Sequence, residues 1–331
     1  MKIILNRLIN HEPLSKEEAR GVLVSISEGK YNPSQIAAFL TVYMMRSVRL
    51  EELEGFRDAL LDLCLAVDFS DYNTIDLCGT GGDGKNTFNI STLSSFVTAG
   101  AGVLVTKHGN YGVSSVSGSS NVMEHLGIRF SNDSSFLKKC LEQAGICVLH
   151  APLFHPAMKN VAPIRKELGV KTFFNMLGPM VNPAFPKNQL VGVFDLELAR
   201  MYGYLYQKGT KNYAILHAMD GYDEISLTDK VKVISNASET ILMAEDFGVN
   251  QILQSDIYGG ESVDESAKIF MKVLQGEGTS AQNNVVCANA GMAISVVEKC
   301  SIMDGFEKAK DSLKSGNALK SLQKLQALSR S

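Results

Sequence analysis

The chain has 331 residues, of which 45% are hydrophobic and 20% are charged, and its formal net charge is −3 at pH 7. This composition supplies enough apolar side chains for a sizeable core and argues against a disordered or low-complexity protein. The acidic balance and the lack of a long basic run argue against non-specific nucleic-acid binding, which depends on neutralising phosphates. At roughly 150 residues per domain, the length predicts two domains or one large one.

The cysteines and apolar runs bear on the cellular compartment. All six cysteines lie singly in apolar segments, and none forms the C-x-x-C pair of a metal or redox site. The apolar stretch after Met1 is too short for a signal peptide, and the longest apolar run, residues 36–45, is shorter than the roughly 18 residues of a membrane span. We therefore expect a reduced cytoplasmic protein with no membrane partner.

The first 70 residues show the pattern of helices. Ser15 and Glu18 are spaced as a capping box at one helix start, and Asn32 followed by Pro33 indicates another. A helical apolar period continues over residues 50–65. These features predict a small all-helical domain over residues 1–70.

From Thr74 onward, short β-rich segments alternate with helical stretches, which is typical of an α/β domain with a mainly parallel central sheet. Helical character returns after Ser262, where Ser262 and Glu265 are again spaced as a capping box. We expect this α/β domain to span residues 71–331. Strands are predicted at residues 74–78, 103–107, 146–150, 189–194, 213–217 and 231–234.

A glycine loop follows the first predicted strand, with four glycines within the six residues Gly79–Gly84, and a helix is predicted to begin near Ser91. Glycines let a ligand approach backbone amides closely, and a helix start adds unpaired N–H groups, so this arrangement favours phosphate. Two nucleotide-binding motifs almost fit. The dinucleotide motif fails because the next strand ends in Lys107 and His108, with no acidic residue for a ribose, and the P-loop motif fails at Asn86.

The end of the second predicted strand carries Lys107, His108 and a glycine-serine loop. Successive parallel strands end at the same edge of a sheet, so we expect this loop to face the glycine loop. Lys107 offers a mobile positive charge, and serine hydroxyls offer donors for phosphate oxygens. Asp83 would repel a phosphate unless a metal ion lies between them. His108 can act as a base or as a wall; no spacing supports a catalytic triad, and we favour the wall.

Taken together, the motifs occur in the order found in anthranilate phosphoribosyltransferases, and the chain resembles that family over roughly residues 14–295. Each motif alone is weak evidence, but an ordered set is specific. The matching stretches are residues 14–18, 35–39, 79–84, 89–92, 107–110, 113–115, 155–165, 174–179, 182–183 and 223–226.

The resemblance implies a fold and an activity. The implied fold is of the nucleoside phosphorylase/phosphoribosyltransferase type, an α/β protein in which a small all-helical domain is joined by helices within about residues 165–190. A homodimer through the helical domains is also implied. The implied enzyme transfers the phosphoribosyl group of phosphoribosyl pyrophosphate to the amine of anthranilate, the second step from chorismate in tryptophan biosynthesis. No covalent nucleophile is expected, because an aromatic amine is already nucleophilic.

The resemblance also implies the site. Two magnesium ions would be held by Ser91, Asp223 and Glu224, whose oxygens are ligands that magnesium uses alongside substrate phosphates. Anthranilate would meet Arg165, whose planar guanidinium suits a carboxylate, with Gly79, His108, Asn110 and His155. Phosphoribosyl pyrophosphate would contact Gly79, Gly82, Asp83, Thr87, Asn89, Ile90, Ser91, Thr92, Lys107, Ser115 and Ser119.

Two residues depart from the family pattern, and two alternative functions are open. Tyr111 stands where many members carry arginine and Val116 where lysine is frequent, so the site has less fixed positive charge, which implies weaker phosphate binding or more reliance on magnesium. The alternatives are a pyrimidine nucleoside phosphorylase-like enzyme and a non-catalytic nucleic-acid-binding relative. The net negative charge argues against the second, as does retention of Ser91, Asp223, Glu224 and Arg165.

Overall fold

The computed structural model describes residues 1–112 and 117–330. Over these residues the chain forms seven strands and fourteen α-helices. The strands are β1 (Thr74–Gly79), β2 (Leu104–Gly109), β3 (Ile146–His150), β4 (Asn188–Gly192), β5 (Asn212–Ala218), β6 (Val231–Ser235) and β7 (Glu239–Leu242). The helices are α1 (Lys2–Ile9), α2 (Lys16–Ser27), α3 (Pro33–Met45), α4 (Leu50–Asp62), α5 (Ile90–Gly100), α6 (Ser119–His125), α7 (Ser134–Ala144), α8 (Ala151–Phe154), α9 (Ala162–Leu168), α10 (Leu196–Tyr206), α11 (Val263–Leu274), α12 (Ser280–Glu298), α13 (Ile302–Lys314) and α14 (Asn317–Arg330).

The chain divides into two compact units. The helical unit consists of Met1–Val67 and Ala151–Pro183, and the α/β unit consists of Asp68–His150 and Ala184–Ser331. The predicted fold class, a small helical part and a larger α/β part with a mainly parallel sheet, is confirmed. Within the described ranges no single helix is both long and apolar enough to cross a membrane, although the bent pair α12 and α13 together reach that length and hydropathy.

The helical unit begins its helices at the predicted caps and buries an aromatic cluster. The Ser15 hydroxyl accepts a hydrogen bond from the Glu18 amide at 3.2 Å, and the Glu18 carboxylate accepts one from the Ser15 amide at 2.9 Å. Asn32 and Gln35 form the same reciprocal pair at the start of α3. The cluster draws on both segments of the unit, because the rings of Phe56 and Phe173 stack with centroids 4.4 Å apart.

The α/β unit is built on one seven-stranded sheet with the order β3-β2-β1-β4-β5-β6-β7. The first five strands in chain order are parallel, and β6 and β7 pair antiparallel at one side. The six predicted strands are all present, whereas β7 was missed because its short, mostly exposed sequence lacks an apolar pattern. The capping box expected before α11 is only half formed. Ser262 caps the Glu265 amide, but the Glu265 carboxylate accepts from the Glu261 amide instead.

The strand order places β1 beside both β2 and β4, so the chain leaves β1 in one direction and later returns on its other side. In open α/β sheets, ligands bind at the carboxyl ends of the strands where the order reverses in this way. The glycine loop after β1 and the loop after β2 both begin at that edge, as does the turn after β5.

Candidate active site

The glycine loop needs its glycines for backbone conformation. Gly81, Gly82 and Gly84 have φ angles of 64°, 78° and 75°. Residues with a Cβ rarely adopt such positive φ values, whereas glycine adopts them at little steric cost. Three of the four glycines therefore shape the turn itself, and the fourth, Gly79, ends β1 and pairs with Gly192 of β4.

The segment Tyr258–Gly260 holds the two residues Asn86 and Thr87, which follow the glycine loop. The Asn86 side-chain amide donates to the Gly260 carbonyl at 2.8 Å, and the Gly259 amide donates to the Asn86 carbonyl at 2.8 Å. Thr87 forms an isolated antiparallel bridge with Tyr258. Asn86 therefore positions the loop, which is a role that the comparison with the P-loop motif did not suggest.

The predicted carboxylates, Asp223 and Glu224, lie in the turn after β5 and reach the glycine loop and the start of α5. Asp223 Oδ2 accepts a hydrogen bond from the Gly81 amide at 2.8 Å. Glu224 Oε1 accepts one from the Ser91 amide at 2.9 Å. Both side chains are buried, with 8% and 9% of their surface exposed. The structure thus brings together residues that are more than a hundred positions apart and that were predicted to share a metal site.

Two glycines make room for Asp223. A Cβ at Gly79 would lie 2.3 Å from Asp223 Oδ2, and a Cβ at Gly192 would lie 1.4 Å from the Asp223 carbonyl oxygen. Real Cβ atoms do not approach other atoms so closely, so the turn can occupy its position only because both residues lack side chains. Gly192 was missed by the sequence analysis; the available signal was a glycine within the strand predicted at residues 189–194.

The electrostatics of the turn that carries Asp223 and Glu224, which we call the carboxylate turn, favour a cation. Burial raises the pKa of Asp223 to about 7, with the Asp83 carboxylate as the next cause. Burial also raises the pKa of Glu224 well above its usual range, and the charges of Asp223 and Asp83 add to this effect. A divalent cation would offset the repulsion among these three carboxylates.

The donor set fits magnesium bound together with a substrate. Among residues 1–112 and 117–330, no group of three or more His, Cys, Asp or Glu side chains is arranged to hold a metal ion by itself. Magnesium is usually bound through one or two carboxylates and completes its shell with water and substrate phosphates. Asp223 and Glu224, beside a phosphate-favouring loop, match that pattern.

The end of β2 places a buried cation in the same region. Lys107 is 2% exposed, and its ammonium group donates to the Leu77 carbonyl at 2.6 Å. Burial lowers the pKa of Lys107, and the nearby Asp76 carboxylate is the largest opposing influence. Asp76 also accepts a hydrogen bond from the His108 amide at 3.1 Å. The expectation of a mobile lysine is therefore wrong, because the side chain of Lys107 is buried and its ammonium group is held by a hydrogen bond.

The loop after β2 is tied to the start of α6. The Asn110 carbonyl accepts hydrogen bonds from the Ser119 hydroxyl and the Ser120 amide, both at 3.2 Å. Tyr111 is 39% exposed, and its ring lies edge-on to His150 with centroids 4.8 Å apart. The Tyr111 hydroxyl lies 3.4 Å from a carboxylate oxygen of Glu124. Two residues named in the sequence analysis lie outside the described residues: Ser115, predicted to bind substrate, and Val116, which departs from the family pattern.

Several buried polar atoms on these loops have no hydrogen-bond partner among the described residues. They are Thr80 Oγ1, Asn89 Oδ1, Thr92 Oγ1 and Ser117 Oγ. Buried polar groups are normally paired, so these atoms leave hydrogen-bonding capacity on the two loops and on α5 that a polar ligand or water can fill. The Asn89 side-chain amide donates to the Ser117 carbonyl at 2.9 Å, which places these two residues together. Asn89 and Thr92 were predicted, whereas Thr80 and Ser117 were missed although both lie inside quoted motifs or directly beside them.

The helical unit carries the remaining two predicted residues. Arg165 on α9 donates through Nη2 to Asn175 Oδ1 at 3.1 Å, and its guanidinium lies 5.4 Å from the ring centroid of Phe174. Arg165 Nε is buried without a partner among the described residues. An oriented guanidinium with a spare donor can receive a carboxylate.

His155, between α8 and the 3-10 helix Pro156–Asn160, is buried. Burial lowers the pKa of this imidazole to about 4. The side chain is therefore neutral at neutral pH, which agrees better with a wall or a hydrogen-bonding role than with a cationic one.

The depressed pKa of His155 predicts a pH dependence of stability. Between pH 6.5 and 4 the unfolded chain binds a proton at this residue and the folded chain does not, so the free energy of unfolding falls as pH falls. From pH 7 to pH 5 this contribution amounts to about 2 kcal/mol. Urea unfolding at both values should show His155→Gln losing that much less stability than the unmodified protein. Equal losses in the two proteins would contradict the assignment.

The comparisons with known proteins cover both units. Residues 71–319 match the glycosyl transferase family a/b domain, and residues 2–64 match the helical bundle domain of the same family. The chain is 72% identical to an anthranilate phosphoribosyltransferase of Flavobacterium psychrophilum, over 99% of this chain and 100% of that protein.

Solved structures show the same likeness. The anthranilate phosphoribosyltransferase of Thermus thermophilus superposes with a TM-score of 0.91 at 31% identity, over 99% of both chains. The Saccharomyces cerevisiae enzyme of that name, solved in complex with PRPP (phosphoribosyl pyrophosphate) and Mg, superposes with a TM-score of 0.89 at 27% identity. The match covers 98% of this chain and 96% of that one. Identity at this level and coverage of nearly the whole chain show that the protein belongs to the anthranilate phosphoribosyltransferase family.

Proposed function

We propose that this chain transfers the phosphoribosyl group of phosphoribosyl pyrophosphate to the amine of anthranilate, giving N-(5-phosphoribosyl)anthranilate and pyrophosphate. The observation that carries the proposal is the buried Asp223–Glu224 turn, which is hydrogen-bonded to the glycine loop and to the start of α5. This arrangement suits a magnesium-bound diphosphate, and the family membership identifies the pair of substrates.

The phosphoribosyl substrate is assigned to the loops after β1 and β2. The unpaired polar atoms of Asn89 and Thr92 support this assignment, as does the held charge of Lys107. The residues proposed from the sequence are Gly79, Gly82, Asp83, Thr87, Asn89, Ile90, Ser91, Thr92, Lys107, Ser115 and Ser119, to which the unpaired hydroxyls of Thr80 and Ser117 are added.

Anthranilate is assigned to Arg165, with Gly79, His108, Asn110 and His155. The support comes from the spare guanidinium donor of Arg165, whose charge complements the carboxylate of anthranilate. Because the lowered pKa of His155 keeps its imidazole neutral, this residue does not compete with Arg165 for the carboxylate of anthranilate.

Two magnesium ions are proposed, with Ser91, Asp223 and Glu224 as their protein ligands. The yeast relative, solved with PRPP and Mg, supports magnesium as the metal. When bound, magnesium supplies Lewis-acid stabilisation of the charge on the leaving pyrophosphate.

The chain's own residues contribute mainly position and charge. The anthranilate nitrogen forms a bond to the anomeric carbon of the ribose, the bond from that carbon to the pyrophosphate oxygen breaks, and the nitrogen then loses a proton. Because the amine is neutral and nucleophilic at pH 7, no covalent protein nucleophile is required. The ammonium of Lys107 is held in place before the reaction, so it can stabilise developing negative charge without reorganising.

Replacing Arg165 tests the anthranilate assignment. Arg165→Ala removes a charged hydrogen-bond donor, which is worth about 1.5–3 kcal/mol, so KM for anthranilate should rise roughly 10- to 100-fold. KM for phosphoribosyl pyrophosphate should change little. The neighbouring exposed residue provides a control, and Lys166→Ala should leave both constants near their original values. A change confined to the phosphoribosyl substrate would show that the two substrates were placed the wrong way round.

The activity itself is tested by the loss of anthranilate fluorescence when the purified protein is mixed with phosphoribosyl pyrophosphate. Loss that requires magnesium and stops with excess chelator supports the proposal. No loss from a folded protein would refute it, and a nucleoside-plus-phosphate assay would then test the phosphorylase alternative.

Organisation and location are proposed on separate grounds. The two compact units are proposed to be the domains of the protein, with the helical domain formed by Met1–Val67 and Ala151–Pro183. A homodimer through the helical domain is supported by exposed apolar side chains on that unit, among them Ile3, Ile9 and Met45. A cytoplasmic location is supported by six cysteines that all carry free thiols.

A further inference from the structure

A buried asparagine on α12 holds the backbone of the carboxylate turn. Asn289 is 3% exposed and lies in the middle of α12. Its Oδ1 accepts a hydrogen bond from the Ile225 amide at 3.0 Å, and its Nδ2 donates to the Ile225 carbonyl at 2.9 Å. One side chain therefore satisfies both backbone groups of the residue that directly follows Glu224.

The orientation of this amide is fixed within its own helix. Asn289 Nδ2 also donates to the Val285 carbonyl, one helical turn earlier, at 2.9 Å. With two carbonyl acceptors on one side and an N–H donor on the other, only one assignment of the amide nitrogen and oxygen satisfies all three bonds. Asparagine is unfavourable in a helix interior, because its side chain competes for backbone hydrogen bonds. Here the side chain instead forms hydrogen bonds with the backbone of Ile225, in the turn that carries Asp223 and Glu224.

The hydrogen bonds of Asn289 add to the two that the carboxylates themselves accept. Gly81 and Ser91 hold the side-chain oxygens of Asp223 and Glu224, while Asn289 holds the main chain at Ile225. Asn289 also lines a cavity together with Ser91, Asp223 and Glu224. The carboxylates are thus fixed both at their oxygens and at the backbone from which they project.

Two buried carboxylates on adjacent residues need such support. Side chains that repel one another move apart when the backbone allows it, and a displacement of about 1 Å at a reacting centre can lower a rate about 100-fold. The residues behind metal ligands typically contribute roughly 10- to 100-fold to metal affinity or activity.

We propose that Asn289 is a positioning residue for the magnesium-binding carboxylates: by holding Ile225 it fixes Asp223 and Glu224 in the geometry that accepts the metal and the diphosphate. This inference rests on the proposed function. It concerns a residue of α12 that the motifs of the sequence did not indicate and whose described hydrogen bonds go to backbone groups.

The test compares Asn289→Ala with Asn283→Ala. Asn283 lies on the same helix and also donates through Nδ2 to a backbone carbonyl, that of Gly278 at 3.2 Å, so it controls for the general loss of an asparagine from α12. The first readout is the magnesium concentration that gives half of the maximal rate. The second needs no turnover: it is the rise in Tm produced by magnesium with phosphoribosyl pyrophosphate in the absence of anthranilate.

Asn289→Ala should need roughly 10- to 100-fold more magnesium and show a reduced rise in Tm, while KM for anthranilate at saturating magnesium stays within about twofold. Asn283→Ala should match the unmodified protein in all three. If Asn289→Ala does not fold, Asn289→Ser, whose hydroxyl can still bond the Val285 carbonyl, is compared in the same way.

Two outcomes overturn the proposal. A folded variant with an unchanged magnesium requirement would show that the carboxylates do not depend on Asn289. Failure of both variants to fold would show that the amide serves the fold as a whole. The unmodified protein is assayed first, so a chain without magnesium-dependent anthranilate consumption would refute the proposed function and not the grip on Ile225.

Discussion

The double substitution Asp223→Asn and Glu224→Gln should lower turnover by about 1,000-fold or more while the protein becomes no less stable. Removing a single preorganised charge-stabilising group typically costs about 100- to 1,000-fold, and this change removes the carboxylates proposed to hold magnesium. The amide oxygens of asparagine and glutamine can still accept the hydrogen bonds from Gly81 and Ser91.

The stability half of this prediction follows from the pKa values. A carboxyl whose folded pKa is raised above its unfolded value destabilises the folded state at any pH above the unfolded value. Neutral amides remove that cost, so Tm measured at pH 7 with a chelator present should rise. Stability sacrificed for function is expected where like charges are brought together for a ligand.

An exposed acidic pair provides the control for the double substitution. Glu245 and Asp246 are adjacent and exposed in the same unit, and Glu245→Gln with Asp246→Asn changes the net charge by the same amount. This control should keep normal turnover. Near-normal turnover of the Asp223 and Glu224 variant at limiting magnesium would refute the metal role.

Gly192→Ala is expected to have the second largest effect. The new methyl group would lie 1.4 Å from the Asp223 carbonyl oxygen, so either β4 or the carboxylate turn must move. Overpacking of this kind costs about 1–3 kcal/mol of stability, and a shift of about 1 Å in the turn would lower turnover roughly 100-fold. Thermal unfolding and turnover, measured on the same preparation, give both quantities.

A matched glycine lies elsewhere in the α/β unit. A Cβ at Gly209 would meet its nearest neighbour, the Tyr206 carbonyl oxygen, at 3.6 Å, which is ordinary van der Waals contact. Gly209→Ala should therefore leave turnover unchanged. If Gly192→Ala also kept full turnover and Tm, the close approach of β4 to the turn would not exist in solution.

Local patterns predicted most of the elements and the glycine loop of the site. Ser15 with Glu18 marked a helix start, and a glycine-rich segment between a strand and a helix marked a phosphate loop, because these signals depend on neighbours in the chain. The pairing of Asp223 with the glycine loop required the family resemblance in addition. The predicted assignments of Arg165 and Ser119 to substrates stay predictions until they are tested.

Contacts between distant segments were beyond such reasoning. Asn289 looks like any polar residue on a helix until Ile225 is found beside it. In the sequence, Gly192 is one glycine within a predicted strand. That no side chain fits at this position becomes clear only from the turn after β5, which packs against it. Lys107 was expected to be mobile because a single lysine at a strand end gives no sign of burial, whereas the Leu77 carbonyl and the Asp76 carboxylate hold it.

The division of the helical unit between two stretches of sequence sets the order in which the chain can fold during synthesis. The ribosome delivers α1 to α4 before the rest of the unit, and Phe173, which stacks on Phe56, belongs to the later stretch Ala151–Pro183. Until that stretch emerges, the aromatic cluster around Phe56 lacks a ring and its apolar surface faces water. The helical unit therefore remains incomplete until β1, β2 and β3 have also been made, and the nascent chain is open to aggregation during that interval.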